Sequence, residues 1–298
     1  MLLSRWHSAT GLFCVRRSVK GIDMMVSGSR WVAAFGALLA LGSPVAMAAG
    51  SCERLVATGS PDAPPYLWRD AQDPRHLIGV NADLLNQVAS ELNVKVEILY
   101  GGKRSQALEE VRSGRMDLLV DAPLTMAELE TLDYVHPALA QNDYRVWTRN
   151  VSPVVYRSLA DLHGHTGAIS ARARPTQAFA ALDREQLHLL PQESLAKAFG
   201  QLLLGKVEYV VAGRYSGAAT AQALGMQNDL TTSELPIDRP GLYLALSHDS
   251  ACNDGWLRGQ LAKKMTELAA SGLPPELLSR NVERWKAQQQ QPIVAPKQ

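Results

Sequence analysis

Beyond residue 50, short apolar runs alternate with segments whose apolar residues recur every three or four positions. Leu55–Thr58 reads as a strand. Apolar residues at 80, 84, 85, 88, 89 and 92 have the spacing of one helical face, predicting a helix over Val80–Leu92. Val94–Leu99 alternates as a strand does, Arg104–Ser113 reads as a helix stopped by Gly114, and Met116–Val120 as a buried strand. A βαβαβ order predicts a parallel sheet with helices on its faces.

Part of this pattern recurs. The segment Ala107-Leu108-x-x-Val111-x-x-Gly114-x-x-Asp117-Leu118-Leu119-Val120 has a counterpart 91 residues on, Ala198-Phe199-x-x-Leu202-x-x-Gly205-x-x-Glu208-Tyr209-Val210-Val211. In each, a helix stops at a glycine and an acid opens an apolar strand. Around the second copy, Thr166–Ser170 and Leu187–Leu190 read as strands and about Pro175–Leu182 as a helix. Two lobes of related build are expected. Arg145–Thr148 and Ser233–Ile237 flank the second unit and are read as crossover strands. Gly241–Ser247 reads as another strand, followed by helices near Asp254–Ser271 and Pro275–Trp285 and a polar tail from Gln288.

The N-terminal segment changes the picture. Trp31–Val45 is 15 residues without a charge, preceded by Arg30 and followed by Ala46-Met47-Ala48. A basic start, a short apolar core and an A-x-A site make a secretory signal, with cleavage expected after Ala48. The run is shorter than the roughly 20 residues that span a bilayer. Ala49, three positions before Cys52, argues against a lipid anchor. Residues 1–23 add nothing a signal needs, so the start is read as Met24 or Met25. Residues 1–48 carry five Lys/Arg and one acid; without them 25 basic and 28 acidic residues remain, a net charge of −3. That excludes the basic footprint of a nucleic-acid binder. Cys14 leaves with the leader. Cys52 and Cys252 remain, and an even pair in an exported chain points to a disulfide, the alternative being two free thiols. A bridge would bring the first residues of the exported chain beside a segment near its end.

Several motifs follow one another in a telling order: Ser60-Pro61-Asp62-Ala63-Pro64-Pro65-Tyr66, Ile78-Gly79-Val80-Asn81-Ala82-Asp83-Leu84-Leu85, Gly114-Arg115-Met116-Asp117-Leu118-Leu119, Ala122-Pro123-Leu124-Thr125, Leu132-Asp133-Tyr134-Val135-His136-Pro137-Ala138 and Gly205-Lys206-Val207-Glu208-Tyr209. Together they make the chain, over roughly Glu53–Lys286, resemble the type II periplasmic solute-binding proteins of family 3, associated with amino-acid ABC importers. The resemblance implies a two-lobed α/β fold, each lobe a mixed or parallel sheet flanked by helices, joined by two hinge strands. Lobe 1 is expected at 49–143 and 236–287, lobe 2 at 144–235, and a tail at 288–298. It further implies a periplasmic monomer without cofactor or metal, which captures a small solute by hinge closure and passes it to an inner-membrane ABC permease. Two alternatives stay open: a ligand-sensing partner of a membrane receptor, and an enzyme resembling the cyclohexadienyl dehydratases, with Glu128 or Asp62 as its acid.

The resemblance also implies a site. Asp62, Tyr66 and Trp68 lie in the loop after the first strand, where an acid meets ligand amines and aromatics stack on the solute; packing beside Pro64 and Pro65 is the alternative. Asp121 and Thr125 follow the strand at 116–120. Two positions depart from the family. Glu128 stands where amino-acid binders carry the arginine that clamps a carboxylate, and Gly213 where an acid holds the ammonium. A glutamate cannot replace a guanidinium fork. Arg172, Arg174 and Thr176 before a second-lobe helix, with Arg214, are expected to take over and hold an anionic or zwitterionic solute. Lys103-Arg104 is read as a surface pair, with a pocket-rim role as the alternative. His163-Gly164-His165 is read as a surface turn.

Overall fold

The computed structural model describes residues 52–290, so the leader, its cleavage site and residues 291–298 lie outside the described part. The first half of the chain contributes β1 (Arg54–Thr58), a small antiparallel ribbon of β2 (Asp62–Ala63), β3 (Leu67–Arg69) and β4 (Leu77–Ile78), then α1 (Val80–Glu91), β5 (Lys95–Ile98), α2 (Arg104–Arg112), β6 (Leu118–Ala122) and the long β7 (Leu132–Gln141). The second unit holds β8 (Tyr144–Arg149), β9 (Gly167–Ser170), α3 (Gln177–Leu182), β10 (Leu190–Gln192), α4 (Leu195–Leu203), β11 (Tyr209–Gly213), α5 (Arg214–Ala223) and β12 (Leu230–Asp238). The chain then returns as β13 (Gly241–Ser247), α6 (Gly255–Ala269) and α7 (Leu273–Gln290).

Two five-stranded sheets result, ordered β5-β1-β6-β13-β7 and β10-β9-β11-β8-β12. In each, the βαβ strands pair in parallel and the two strands that link to the other sheet pair antiparallel. The helical repeat seen in α1 buries Val80, Leu84, Leu85 and Val88 against the first sheet, and α6 adds Leu257, Leu261 and Met265 to the same core. The second sheet is covered on both faces. Trp147, Phe199, Leu202 and Val210 form one core, and Tyr144, Phe179, Leu187 and Tyr209 another. Each fully buried side chain of this size contributes about 1.5–3 kcal/mol.

The repeated motif has one structural meaning in both lobes. Gly114 and Gly205 follow α2 and α4 in the left-handed region, at φ 68° and 69°, as helix-stopping glycines do. Asp117 and Glu208 then act alike. Their backbone N–H groups donate to Val56 O and Thr166 O, both at 2.7 Å. Their carboxylates accept from the N–H of the same residues, at 2.7 and 2.8 Å. Each acid thus pins the strand it opens to its parallel neighbour, β1 for β6 and the start of β9 for β11.

Arg145–Thr148 and Ser233–Ile237, expected as crossover strands, lie in β8 and β12, the strands of the second sheet that lead from and to the first, and they pair with each other within it. The chain changes sheets at Asn142–Asp143 and again at Arg239–Pro240. Leu187–Leu190 is not a strand. Residues 183–187 form a wide helical turn, His188 is left-handed at φ 51°, and the Asp183 carboxylate accepts from Leu189 N at 2.7 Å, which delays β10 to Leu190. The ribbon β2–β4 has no periodic signature, because strands of two or three residues are too short to show one. Cys52 and Cys252 are joined by a disulfide, their Cα atoms 5.2 Å apart, so both ends of the described chain close on the first lobe.

Candidate functional site

Strand register locates the site. At the carboxyl end of β6, Ala122 lies opposite Tyr243 of β13, and Gly241 of that strand lies opposite Gln141, the last residue of β7. At the carboxyl end of β11, Gly213 lies opposite Tyr144, which also faces Asp238 at the end of β12. The carboxyl ends of the parallel strands in both sheets therefore come to the two crossings, the place where α/β sheets put ligands.

On the first-lobe side the centre is a buried carboxylate. Asp121 is 4% exposed; its Oδ2 accepts from Ser60 N at 3.1 Å and from the Arg104 guanidinium at 3.3 Å. Arg104 also donates to the Ser60 hydroxyl. Asp121 Oδ1 is buried and has no partner among the described residues. Gly59 makes room for it, because a Cβ there would come within 2.7 Å of that oxygen. Arg104 sits at the first position of α2 with about a quarter of its side chain exposed, so it is no surface pair. This is the residue that sequence reasoning undervalued.

Beside it, the Thr125 hydroxyl donates to Glu128 Oε2 at 2.8 Å and also accepts from Glu128 N. The Tyr134 hydroxyl is 2.7 Å from Pro123 O and 3.3 Å from the same Glu128 oxygen. Burial, and then the Glu128 charge, push the Tyr134 phenol far above its ordinary value. It is a neutral donor at any physiological pH.

The expected aromatics lie elsewhere. Trp68 is 4% exposed, packs on Ala219 and Trp285, and donates its indole N–H to Gln288 Oε1 at 2.9 Å. It is a core residue packed on α5 and α7, with almost no exposed surface. Gln288, placed by the sequence in a tail, belongs to α7. Tyr66 is 2% exposed, donates to Gln141 O at 2.9 Å and meets the Tyr215 ring edge-on at 6.1 Å. It joins the lobes at the crossing. Asp62 is exposed on β2.

In the second lobe, Thr176 caps α3, accepting from Phe179 N at 3.1 Å. Its N–H and hydroxyl are both taken by Asp238, at 2.7 and 2.8 Å. Arg174 N donates to the Tyr144 hydroxyl at 2.9 Å, while its guanidinium reaches only the carbonyls of Ala171 and Ala173. Arg172 and Arg214 are exposed; the Arg214 guanidinium lies 5.2 Å from the centre of the Tyr215 ring. The structure thus pairs Asp121 with Arg104 at the end of β6, puts Thr125 on the loop that follows, and carries Arg174 and Thr176 before α3 and Arg214 at the start of α5. A separate cavity of about 280 Å³, lined by Arg149, Asp161, His165 and Glu208 among others, lies at the opposite, amino end of β11. His165 there pairs with Glu208 at 2.8 Å.

The sequence profile of the bacterial extracellular solute-binding proteins, family 3, matches residues 55–283. The chain belongs to this family. No curated protein sequence matches it significantly. Several solved structures are similar to it in fold over most of their length. One is an amino acid ABC transporter substrate-binding protein from Streptococcus pneumoniae bound to L-arginine, at 18% identity, covering 78% of this chain and 96% of that one, with a TM-score of 0.58. The second substrate-binding domain of Lactococcus lactis GlnP, in an open conformation, is 17% identical over 78% of this chain and 97% of its own, at 0.59. A histidine kinase sensor domain is 20% identical over 80% and 97%, at 0.57. At these identities the likeness shows the fold; residue roles in this family 3 member come from its own geometry.

Proposed function

We propose that this chain is a periplasmic protein that captures a small anionic or zwitterionic solute between its lobes and delivers it, as a monomer, to an ABC importer. The moving bodies are the two sheets with their helices, the chain passing between them at Asn142–Asp143 and again at Arg239–Pro240. The carrying observation is the meeting of the β6 and β11 carboxyl ends at the two crossings, with the Arg104 guanidinium held there by Asp121. Arg104 takes the place of the arginine missing at Glu128. Arg172, Arg174 and Arg214 bring positive charge from the other lobe, and closure would desolvate the solute between them. The transporter proteins among its structural relatives support the import reading. The sensor domain among them supports a second one, a signalling partner, which the neighbouring genes discriminate.

A thermal-shift screen across amino acids, hydroxy acids and other small carboxylates tests solute capture. A ligand at 100 times its Kd stabilises the folded state by about 2.7 kcal/mol. For about 240 residues that raises Tm by roughly 5–10 °C. A screen in which no compound moves Tm, or in which one is turned over, defeats the reading.

A further inference from the structure

Helix α5 has two packed faces, and each belongs to a different lobe. Gly217 and Ala221, one turn apart, lie on the second sheet: a Cβ on Gly217 would overlap the Trp147 ring, and Ala221 shares a core with that ring. This close fit makes α5 move with the second lobe. Tyr215 and Ala219, one turn apart on the opposite face, meet the first lobe. The Tyr215 ring stands edge-on to Tyr66, and Ala219 is buried with Trp68 and Trp285. Those three aromatics are fixed to the first lobe. Tyr66 donates to Gln141 O and Trp68 to Gln288 of α7, while α7 is anchored on α1 by the buried Asn281 amide, which donates to Asp83 at 2.8 Å.

Among the described residues, no hydrogen bond or ion pair links 52–141 or 240–290 to 144–238; the polar links between the lobes are those of the crossings themselves, such as Asn142 N to Pro240 O and Asp143 to Arg145 and Arg239. The packing of α5 is thus what rests one lobe on the other. It lies across the first sheet from the Arg104 cluster. Along β6, Leu118 and Val120 enter the core shared with α1, α6 and α7, whereas Leu119 joins α2 and Asp121 meets Arg104, the first residue of α2. Trp68 and Trp285 stand on the α1–α7 side. Both crossings run from strands of this sheet, β7 and β13. A second lobe that swings over Arg104 must therefore lift α5 away from Trp285, as the far arm of a lever rises.

We propose that the contact of α5 with Tyr66, Trp68 and Trp285 is a latch: it holds the lobes at rest, closure breaks it, and its strength sets how tightly the cleft takes a solute that never touches it. Burial of the aromatic surface favours the rest position. A protein that binds only when the latch is undone has an affinity scaled by the fraction undone, so loosening the latch tightens binding. The proposal rests on the solute-capture reading and adds to it the element that opposes closure.

Two variants loosen the latch by different means. Trp285→Ala removes a buried indole from it, and Ala219→Phe overfills it and forces α5 away. Calorimetry with the compound that raises Tm most in the thermal-shift screen should show about tenfold tighter binding by both. Loss of a merely structural contact would leave affinity unchanged. With no solute added, small-angle X-ray scattering should give both variants a smaller radius of gyration than wild type. Affinity equal to or below wild type, in either variant that keeps the wild-type circular dichroism spectrum, overturns the latch and leaves solute capture intact. A screen that yields no binder means that capture has failed, and scattering then decides alone: one radius for all three proteins overturns the latch.

Discussion

Ninety-one positions apart, Gly114 and Gly205 stop equivalent helices in the same left-handed conformation, and Asp117 and Glu208 tie equivalent strands together. Of three positions that flank these pairs, two differ. Arg104, the first residue of α2, corresponds to Leu195, the first residue of α4, and Asp121 corresponds to Ala212, whereas Ser60, by strand register, corresponds to another serine, Ser170. In the first lobe the three residues form a hydrogen-bonded charge cluster at the strand ends. In the second lobe Leu195 and Ala212 join an apolar core. What the lobes share holds the α/β unit together, and what differs is concentrated where a solute would sit. A charge pair is not needed to build this unit, since the second copy folds without one.

The largest effect distinguishing the lobes is expected from the disulfide, which closes only the first. A crosslink spanning a separation of 200 residues is worth about 5 kcal/mol on the chain-entropy reading. Cys252→Ser should lower the denaturation midpoint by a corresponding amount, and an unchanged midpoint would show that the termini are held by packing alone. Next, Arg104→Leu leaves Asp121 buried without its counter-ion. A loss of about 2–3 kcal/mol is expected, below the range for fully buried pairs because Arg104 is partly exposed. Adding Asp121→Ala recreates the second lobe's chemistry in the first. The double variant should recover most of that stability yet fail to bind solute. A double variant as unstable as the sum of its singles would show that the two residues act independently.

A smaller difference is expected at the paired glycines. A Cβ on Gly114 would meet the Asp249 carbonyl oxygen at 2.7 Å, whereas one on Gly205 would meet the flexible end of Arg149. Both alanine variants carry about 1 kcal/mol of left-handed strain. Gly114→Ala should cost about 1 kcal/mol more, because backbone cannot move aside as a side chain can. Equal costs would show that Asp249 shifts freely. The smallest effect concerns acid. His165, then Thr166 N–H, hold the Glu208 carboxyl below its ordinary value of 4.5. Its contribution is full above that value and is lost as pH falls through the lowered one. Glu208→Gln should flatten the acid limb of the stability curve slightly, since the group is 40% exposed. An identical acid limb would show that Glu208 has the same acidity folded and unfolded.

The repeated helix-glycine-strand motif was legible in the sequence because each part has a local cause: an apolar period, a residue that tolerates positive φ, an acid beside free N–H groups. The site was only partly legible. Arg104 beside Lys103 at a helix start looks like any solvated pair, and nothing local reveals that Asp121, 17 residues on, comes beside it once α2 and β6 pack. Trp68 erred the other way. An aromatic in a loop after a strand suggests a stacking surface, but its direction depends on α5 and α7, far along the chain.

The most direct test of solute capture at the Arg104 cleft is a calorimetric comparison of three proteins, using the compound that raises Tm most in the screen: wild type, Arg104→Ala, and Arg149→Ala at the far end of the second lobe. The account predicts that affinity falls about 100-fold or more in Arg104→Ala, the order expected for a desolvated charge-assisted contact, and stays at the wild-type value in Arg149→Ala. Equal affinity in all three would contradict it.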